Sequence, residues 1–346
     1  MRVFYAHLIK QHTKSMKYLF IPVIAILLIS CNESSQIDTY QNRRNNIVNI
    51  TKLIHKIDLG DIYVSDFAVP YDAGNNIVVC DLKSYDKPIN VFDGDSYKHI
   101  VSFGEIGQGP KEITRLSNVT WFEKEKEMLV QDVGKMLLYA YNLDSVMVNS
   151  SYSPIEKYIL NPAECPSEYF MMNDSVSYCR TMITTGVNAH NQSTGIWNMK
   201  TGDIDLLEYN HPDIHAKRFY LAVSFDDGIY AECNYKYDMI SIFDIKGNLK
   251  KNIFGPQWGK THLQCHSGAT FTKDYLVTVY NGQEYEDCLP SRKCLVFSKS
   301  GDYIATLDID YNILNMCYDT HNDRLVFTFN DDIQLGYLDL KEIKLK

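Results

Sequence analysis

Six times along this chain an apolar run ends in an aromatic residue, an acidic or polar residue follows, and the chain then turns. The units read Ile89-Asn-Val-Phe-Asp-Gly94, Leu138-Tyr-Ala-Tyr-Asn-Leu-Asp144, Gly195-Ile-Trp-Asn-Met-Lys-Thr-Gly202, Ile240-Ser-Ile-Phe-Asp-Ile-Lys-Gly247, Cys294-Leu-Val-Phe-Ser-Lys-Ser-Gly301 and Ile333-Gln-Leu-Gly-Tyr-Leu-Asp339. Their aromatic anchors, Phe92, Tyr141, Trp197, Phe243, Phe297 and Tyr337, are separated by 49, 56, 46, 54 and 40 residues. Each interval is long enough for one antiparallel sheet of four short strands, a unit that cannot bury both of its faces alone. Units of this kind stack side by side, and six would close a wheel.

The rest of the chain beyond residue 50 agrees with an all-β fold. Short β-branched runs such as Asn76-Ile-Val-Val-Cys80, Tyr275-Leu-Val-Thr-Val-Tyr280 and Arg324-Leu-Val-Phe-Thr-Phe329 alternate with turn signals, and no long window has a helical period. The 25 tyrosines against 15 phenylalanines tilt the composition the same way. A spare strand, Lys52-Leu-Ile-His-Lys-Ile-Asp-Leu59, precedes the first unit and is expected to complete the blade that holds Tyr337, hiding an edge. The expected fold is therefore a six-bladed β-propeller over residues 51–346, its N-terminal strand closing the last blade. Other blade counts, a pair of β-sandwiches or a β-helix would show strands and turns at similar density.

The amino terminus carries an address. Tyr18–Ile29 is a run of twelve uncharged, mostly apolar residues after Lys17. It is too short for a membrane span, which needs about 20 residues, and fits the core of a signal peptide. Leu28-Ile-Ser-Cys31 follows and resembles the bacterial lipobox, in which the cysteine thiol receives diacylglycerol after cleavage at a small residue. Residues 1–30 thus read as a leader, with Met16 its apparent true start. Cys31 is the expected lipid attachment site, and residues 31–50 a polar tether that includes Arg43 and Arg44. More than one acyl chain would give a stable membrane anchor. The expected location is the cell envelope, at the outer membrane, on either its periplasmic or its surface face.

Charge and motifs narrow the chemistry. From Cys31 onward 30 Lys and Arg face 43 Asp and Glu, a balance of −13, and no dense basic cluster relieves it, so nucleic acid is not expected as a partner. An exported compartment permits disulfides, and Cys288 and Cys294, flanking a Leu-Pro-Ser-Arg-Lys turn, are the candidate pair. The spacings His211-x-x-x-His215 and His262-x-x-Cys265-His266 would suit a metal on a helix. The β context and Pro212 make loop histidines the expectation, so no cofactor is assigned, although calcium in a central channel stays open. Neither a G-x-S-x-G nor a His-Glu-x-x-His run occurs.

Phe103-Gly-Glu-Ile-Gly-Gln-Gly-Pro-Lys-Glu-Ile113, with Ile77-Val-Val-Cys-Asp81 before it, resembles the six-bladed propeller lipoproteins of Bacteroides-type bacteria, relatives of NHL-repeat and TolB-like propellers. Their pattern is F-G-x-x-G-x-G-P-x-E and then an aromatic, where Ile113 stands here. Phe254-Gly-Pro-Gln-Trp-Gly259 is a degenerate echo. Pro110 and the lack of a following helix exclude a phosphate loop. Gly104, Gly107 and Gly109 are read as positions of positive φ between blades. The resemblance implies fold and compartment. The functional expectation is a non-enzymatic binding module for a protein, peptide or glycan, with loop residues Arg115, Arg180, Arg218 and Trp258 as candidate contacts. The alternative is a metal-dependent lyase or lactonase of the NHL-like type.

Overall fold

First strands of successive four-stranded meanders lie side by side in this molecule, with one exception between the third and the fourth, and the long strand Tyr303–Asp319 lies beside the first strand of the first. The computed structural model describes residues 37–162, 165–187, 189–287 and 289–345, so the leader, Cys31 and Cys288 lie outside the described residues. In chain order, β1 (Asp38–Tyr40), β2 (Ile47–Asn49) and β3 (Ile54–Lys56) precede the first meander, β4 (Ala68–Ala73), β5 (Asn76–Asp81), β6 (Ile89–Asp93) and β7 (His99–Phe103). The second comprises β8 (Leu116–Phe122), β9 (Glu127–Asp132), β10 (Leu137–Asn142) and β11 (Ile155–Ile159). The third is β12 (Glu168–Met171), β13 (Val176–Gly186), β14 (Ala189–Asn198) and β15 (Ile204–Leu207). The fourth is β16 (Phe219–Ser224), β17 (Ile229–Asn234), β18 (Met239–Asp244) and β19 (Leu249–Phe254).

The remaining strands form one eight-stranded sheet: β20 (Leu263–Phe271), β21 (Tyr275–Glu284), β22 (Ser291–Ser298), β23 (Tyr303–Asp319), β24 (Arg324–Phe329), β25 (Leu335–Asp339) and then β3, with β2 on the side of β23. β23 runs unbroken for 17 residues. Its first part pairs with β22, from Phe297↔Tyr303 through Lys293↔Asp308 and, past a register shift, to Ser291↔Ile313. Its second part pairs with β24, from Ile313↔Phe329 to Asp319↔Arg324, so the two pairings meet at Ile313. β3 pairs antiparallel with β25, setting His55 opposite Tyr337. The only α-helix among the described residues is the six-residue α1 (Leu143–Val148).

β4 packs beside β8, β8 beside β12, β16 beside β20, β20 beside β23, and β23 beside β4, while β13 carries the contact from the third meander to β16. This is the arrangement of a β-propeller. It explains why the middle strands read as continuous apolar runs: alternate residues serve two different layers. In β5, Val78 and Cys80 join the layer shared with the second meander, whereas Ile77 joins the layer shared with β24 and β25. In β10, Tyr139 and Tyr141 face one neighbour, and Leu138 and Ala140 the other. Cys179, Cys233 and Cys294 are buried in such layers with free thiols that burial pushes up to about 12. The expected partner of Cys294, Cys288, lies outside the described residues.

The recurrent aromatic has a fixed place. Phe92, Tyr141, Trp197, Phe243, Phe297 and Tyr337 all sit on the third strand of their units, and all but the half-buried Tyr337 are fully buried. The polar residue after them caps the next turn: Asp93 Oδ1 accepts the Ser96 amide, Asn198 Oδ1 those of Lys200 and Thr201, and Asp244 Oδ1 those of Lys246 and Asn248.

Residues 38–49, expected as a free tether, instead contribute two strands. β1 adds in parallel to β19 and β2 to β23, covering sheet edges. Between them Arg44 is buried rather than solvated. Its Nη1 lies 2.7 Å from Asp238 Oδ1, and its guanidinium stacks 5.4 Å from the ring centre of Tyr280. Among the described residues no helix is long and apolar enough to cross a membrane.

Candidate binding cleft

In every unit the second strand ends, and the next unit's first strand begins, at the same end of the wheel, so that end gathers the longer loops. Carboxylates at the ends of second strands hold these loops. Asp81 accepts the Ser65 amide at 2.8 Å and its hydroxyl at 2.6 Å. Asp132 accepts the amides of Thr114, Arg115, Gly134 and Lys135 at 2.8–3.3 Å. The glycine-rich segment is one such loop. Gly104 has φ +83°, as expected, but Gly107 and Gly109 do not have positive φ. They are small because the Glu112 side chain curls beneath them and accepts the Gly109 amide at 2.6 Å. Lys135 Nζ donates to the carbonyls of Gly109 and Glu112, both at 2.6 Å.

At the same end, between β16–β19 and β20–β21, lies an open cleft of about 540 Å³, within the usual size of a small-ligand site. The loop after β17 supplies Tyr235, Lys236 and Tyr237, and the loop before β16 supplies His215. The approach to β20 contributes Thr261, His262 and Leu263, and the turn after β21 contributes Tyr285. Asn234 Oδ1 accepts the amides of Lys236 and Tyr237 at 3.1 and 3.2 Å, the Asx turn that throws both side chains outward. The Tyr237 hydroxyl accepts the His215 amide at 3.2 Å and donates to its carbonyl at 3.3 Å, tying two loops together. Tyr285 donates its amide to the His262 carbonyl at 2.7 Å, tying another two.

Two non-glycine residues at the rim, Ala216 (φ +52°) and His262 (φ +63°), hold the left-handed backbone. Such conformations cost energy and cluster at binding sites. Beneath the cleft the Asp238 carboxylate accepts from Arg44, the Tyr280 hydroxyl (3.0 Å) and the Gln257 amide (3.0 Å). Gly255 lies so close to it that no side chain would fit. His266 is fully buried, hydrogen-bonded through Nδ1 to Thr278 Oγ1 at 3.0 Å, and burial holds it at about 3. His262 is exposed and His266 buried, and His211 packs on Phe254 and Trp258 while His215 faces the cleft, so neither spacing of four makes a shared ligand pair. Among the described residues no three His, Cys, Asp or Glu gather as a metal site.

The four expected contact residues fall in different places. Trp258 stacks on Phe254 (4.6 Å between ring centres) and lies behind Tyr237 (6.0 Å), supporting the cleft from outside its lining. Arg218 bonds the carbonyls of His190 and Lys217, and its own carbonyl accepts the Tyr235 amide. Arg180 is committed to structure: it donates to Phe219 O at 2.6 Å, lies 3.5 Å from Glu168 and stacks on Tyr220. Arg115 sits in the loop before β8, outside the cleft. The lining itself, centred on Asn234-Tyr-Lys-Tyr-Asp238, escaped the sequence reading. Its one visible signal is a pair of tyrosines around a lysine directly after an apolar strand.

No family model matches this sequence, and no curated protein does so significantly. Solved structures share its fold at low identity. A member of the DUF4221 family from Bacteroides vulgatus is 12% identical, with a TM-score of 0.54, over 82% of this chain and 94% of the other. A Bacteroides fragilis protein designated as exported is 12% identical, with a TM-score of 0.54, over 84% of this chain and 87% of the other. The β-propeller domain of Cps50 (Swd1) from Myceliophteria thermophila is 7% identical, with a TM-score of 0.53, over 83% and 99%. The likeness is one of fold.

Proposed function

We propose that this chain is a lipid-anchored, six-bladed propeller of the bacterial outer membrane that acts as a non-enzymatic binding module, with the cleft at Tyr235–Tyr237 as its ligand site. The blade count is supported by the dual pairing of β23, which lets the eight-stranded sheet divide into two units closed by β3. The order of the apolar layers around the wheel supports it too. The leader, the Leu28-Ile-Ser-Cys31 box and the exported Bacteroides neighbour support the anchor and compartment.

The observation that carries the binding reading is the cleft itself. It is an open, aromatic, preorganised surface built from four loops on a rigid sheet scaffold, where binding residues are usually found. The test uses the mature protein on a glycan array and a peptide library. Binding that is lost in Tyr285→Ala supports the reading. An empty array and library, together with turnover of any substrate, overturn it. The anchor is checked by mass spectrometry of membrane-derived protein: a diacylated Cys31 is expected, and an intact leader with a bare thiol refutes it.

A further inference from the structure

The cleft differs from the rest of the molecule in charge. The mature chain carries −13, yet Lys236, His215 and His262 line the cleft and no carboxylate does. Some surface lysines elsewhere are paired: Lys124 with Asp174, Lys126 with Asp144, Lys111 with Glu156. The Lys236 ammonium has no acid partner among the described residues, and neither imidazole at the cleft has a side-chain hydrogen bond there. A second hollow of about 490 Å³ over β21–β23 makes the contrast, since its lining holds Arg292 and Lys293 together with Asp308 and Asp310. Glu284, paired opposite Leu263, and Glu286 and Asp287, which follow Tyr285, flank the cleft without lining it. A lysine and two imidazoles with no lining carboxylate to oppose them, on an acidic protein, select an anion.

The neutral part of the lining selects what carries the anion. Tyr235, Tyr237 and Tyr285 place aromatic rings along the cleft. Tyr285 is 57% exposed. The one aliphatic lining residue, Leu263, is buried, so no apolar socket exists to seat a peptide side chain. Nor does the backbone here offer a strand edge for an extended peptide. The Tyr235 carbonyl already accepts the Cys265 amide at 2.7 Å, and the His262 carbonyl accepts that of Tyr285. A pyranose ring suits such a surface: its C–H faces lie on tyrosine rings, its hydroxyls meet imidazole, and a carboxylate meets the ammonium.

Resting on the binding reading above, we propose that the cleft binds an acidic oligosaccharide that bears uronate carboxylates, held by Lys236, His215 and His262 over a tyrosine platform. The test is isothermal titration of the mature protein with an oligogalacturonate hexamer, neutral laminarihexaose and a hexaglutamate peptide. The expected result is binding of the hexuronate at least tenfold tighter than the neutral sugar, weakening as salt rises. Lys236→Gln should lower hexuronate affinity about fivefold or more with an unchanged melting temperature. Tyr285→Ala, at an exposed position, should weaken both sugars. Equal affinity for the two sugars, an unchanged hexuronate affinity in Lys236→Gln, or preference for the peptide overturns the acidic-sugar assignment. If binding of the neutral sugar or the peptide is still lost in Tyr285→Ala, the binding module stands with a different ligand. Absence of binding to all three probes overturns the assignment, and with turnover of a substrate it overturns the module as well.

Discussion

Asp132 is buried, and its carboxylate receives four backbone amides from two loops, so one side chain fixes both the exit of β9 and the approach to β8. Asp132→Ala would strand those donors where water reaches them poorly. A cost of about 3 kcal/mol is expected in urea unfolding, and Asp132→Asn should recover part of it. His266 gives a prediction with a sign. Its native imidazole is held at about 3, against the ordinary 6.5 of an unfolded histidine, by burial first, with Asp238 pulling upward and Arg44 downward. Between those values the unfolded chain binds a proton that the folded chain refuses. The stability contributed is therefore full above about pH 6.5 and is lost as pH falls towards 3, at roughly 1.4 kcal/mol per pH unit. His266→Gln should show a smaller drop in melting temperature between pH 7 and pH 4 than the parent, and an identical drop would refute the assignment. Neither residue announces itself in the sequence. An aspartate after a strand reads as a turn, and burial of a histidine is decided by layers that only the folded sheets create.

Among the elements, third strands were legible and first strands were not. The third strand lies between two layers and must end at a turn, so it needs a large aromatic and an Asx cap, and both are visible at Phe92-Asp93 or Phe243-Asp244. First strands line the centre and carry mixed residues, as in Glu168-Tyr-Phe-Met171, which leaves no period to detect. The strap of residues 38–49 was invisible for a related reason. A strand added to an edge needs backbone more than an apolar run, and Asp38-Thr-Tyr40 adds two side-chain contacts to its ladder, Asp38 accepting from Asn252 at 2.8 Å and Tyr40 stacking on Phe254. Its charged hold on the wheel is Arg44, whose side chain is 6% exposed and whose partner Asp238 is fully enclosed. Removing one member of such a pair leaves a buried, uncompensated charge. Arg44→Ala is expected to cost about 3–5 kcal/mol in chemical denaturation. Arg44→Lys should not restore it fully, because an ammonium cannot both reach Asp238 and stack on Tyr280 and Phe297. A loss below about 1 kcal/mol would mean that the strap is not held there.

At the scale of the whole molecule the decisive element is β3, which was legible as a spare strand but whose consequence is collective. In an open array of sheets each unit depends on its neighbours only, and damage at one end stays local. In a closed wheel the seam carries the same apolar load as every other layer: Val326 and Leu335 on one side meet Ile77 and Phe92 on the other, and Ile57, just past β3, is buried among them. The Ile57 amide donates to the Leu335 carbonyl at 3.0 Å. Ile57→Pro removes that donor and disturbs the seam, while Ile57→Ala removes apolar contact and keeps the ladder. Closure requires both variants to lower the single thermal transition of the entire domain, by several degrees for the alanine and more for the proline. It also requires the freed edge of β25 to promote association, visible as a concentration-dependent shift in size-exclusion elution. A melt that splits, with β4–β19 unfolding at the parental temperature and only the last strands released early, would instead describe an open stack, and the wheel would have to be abandoned.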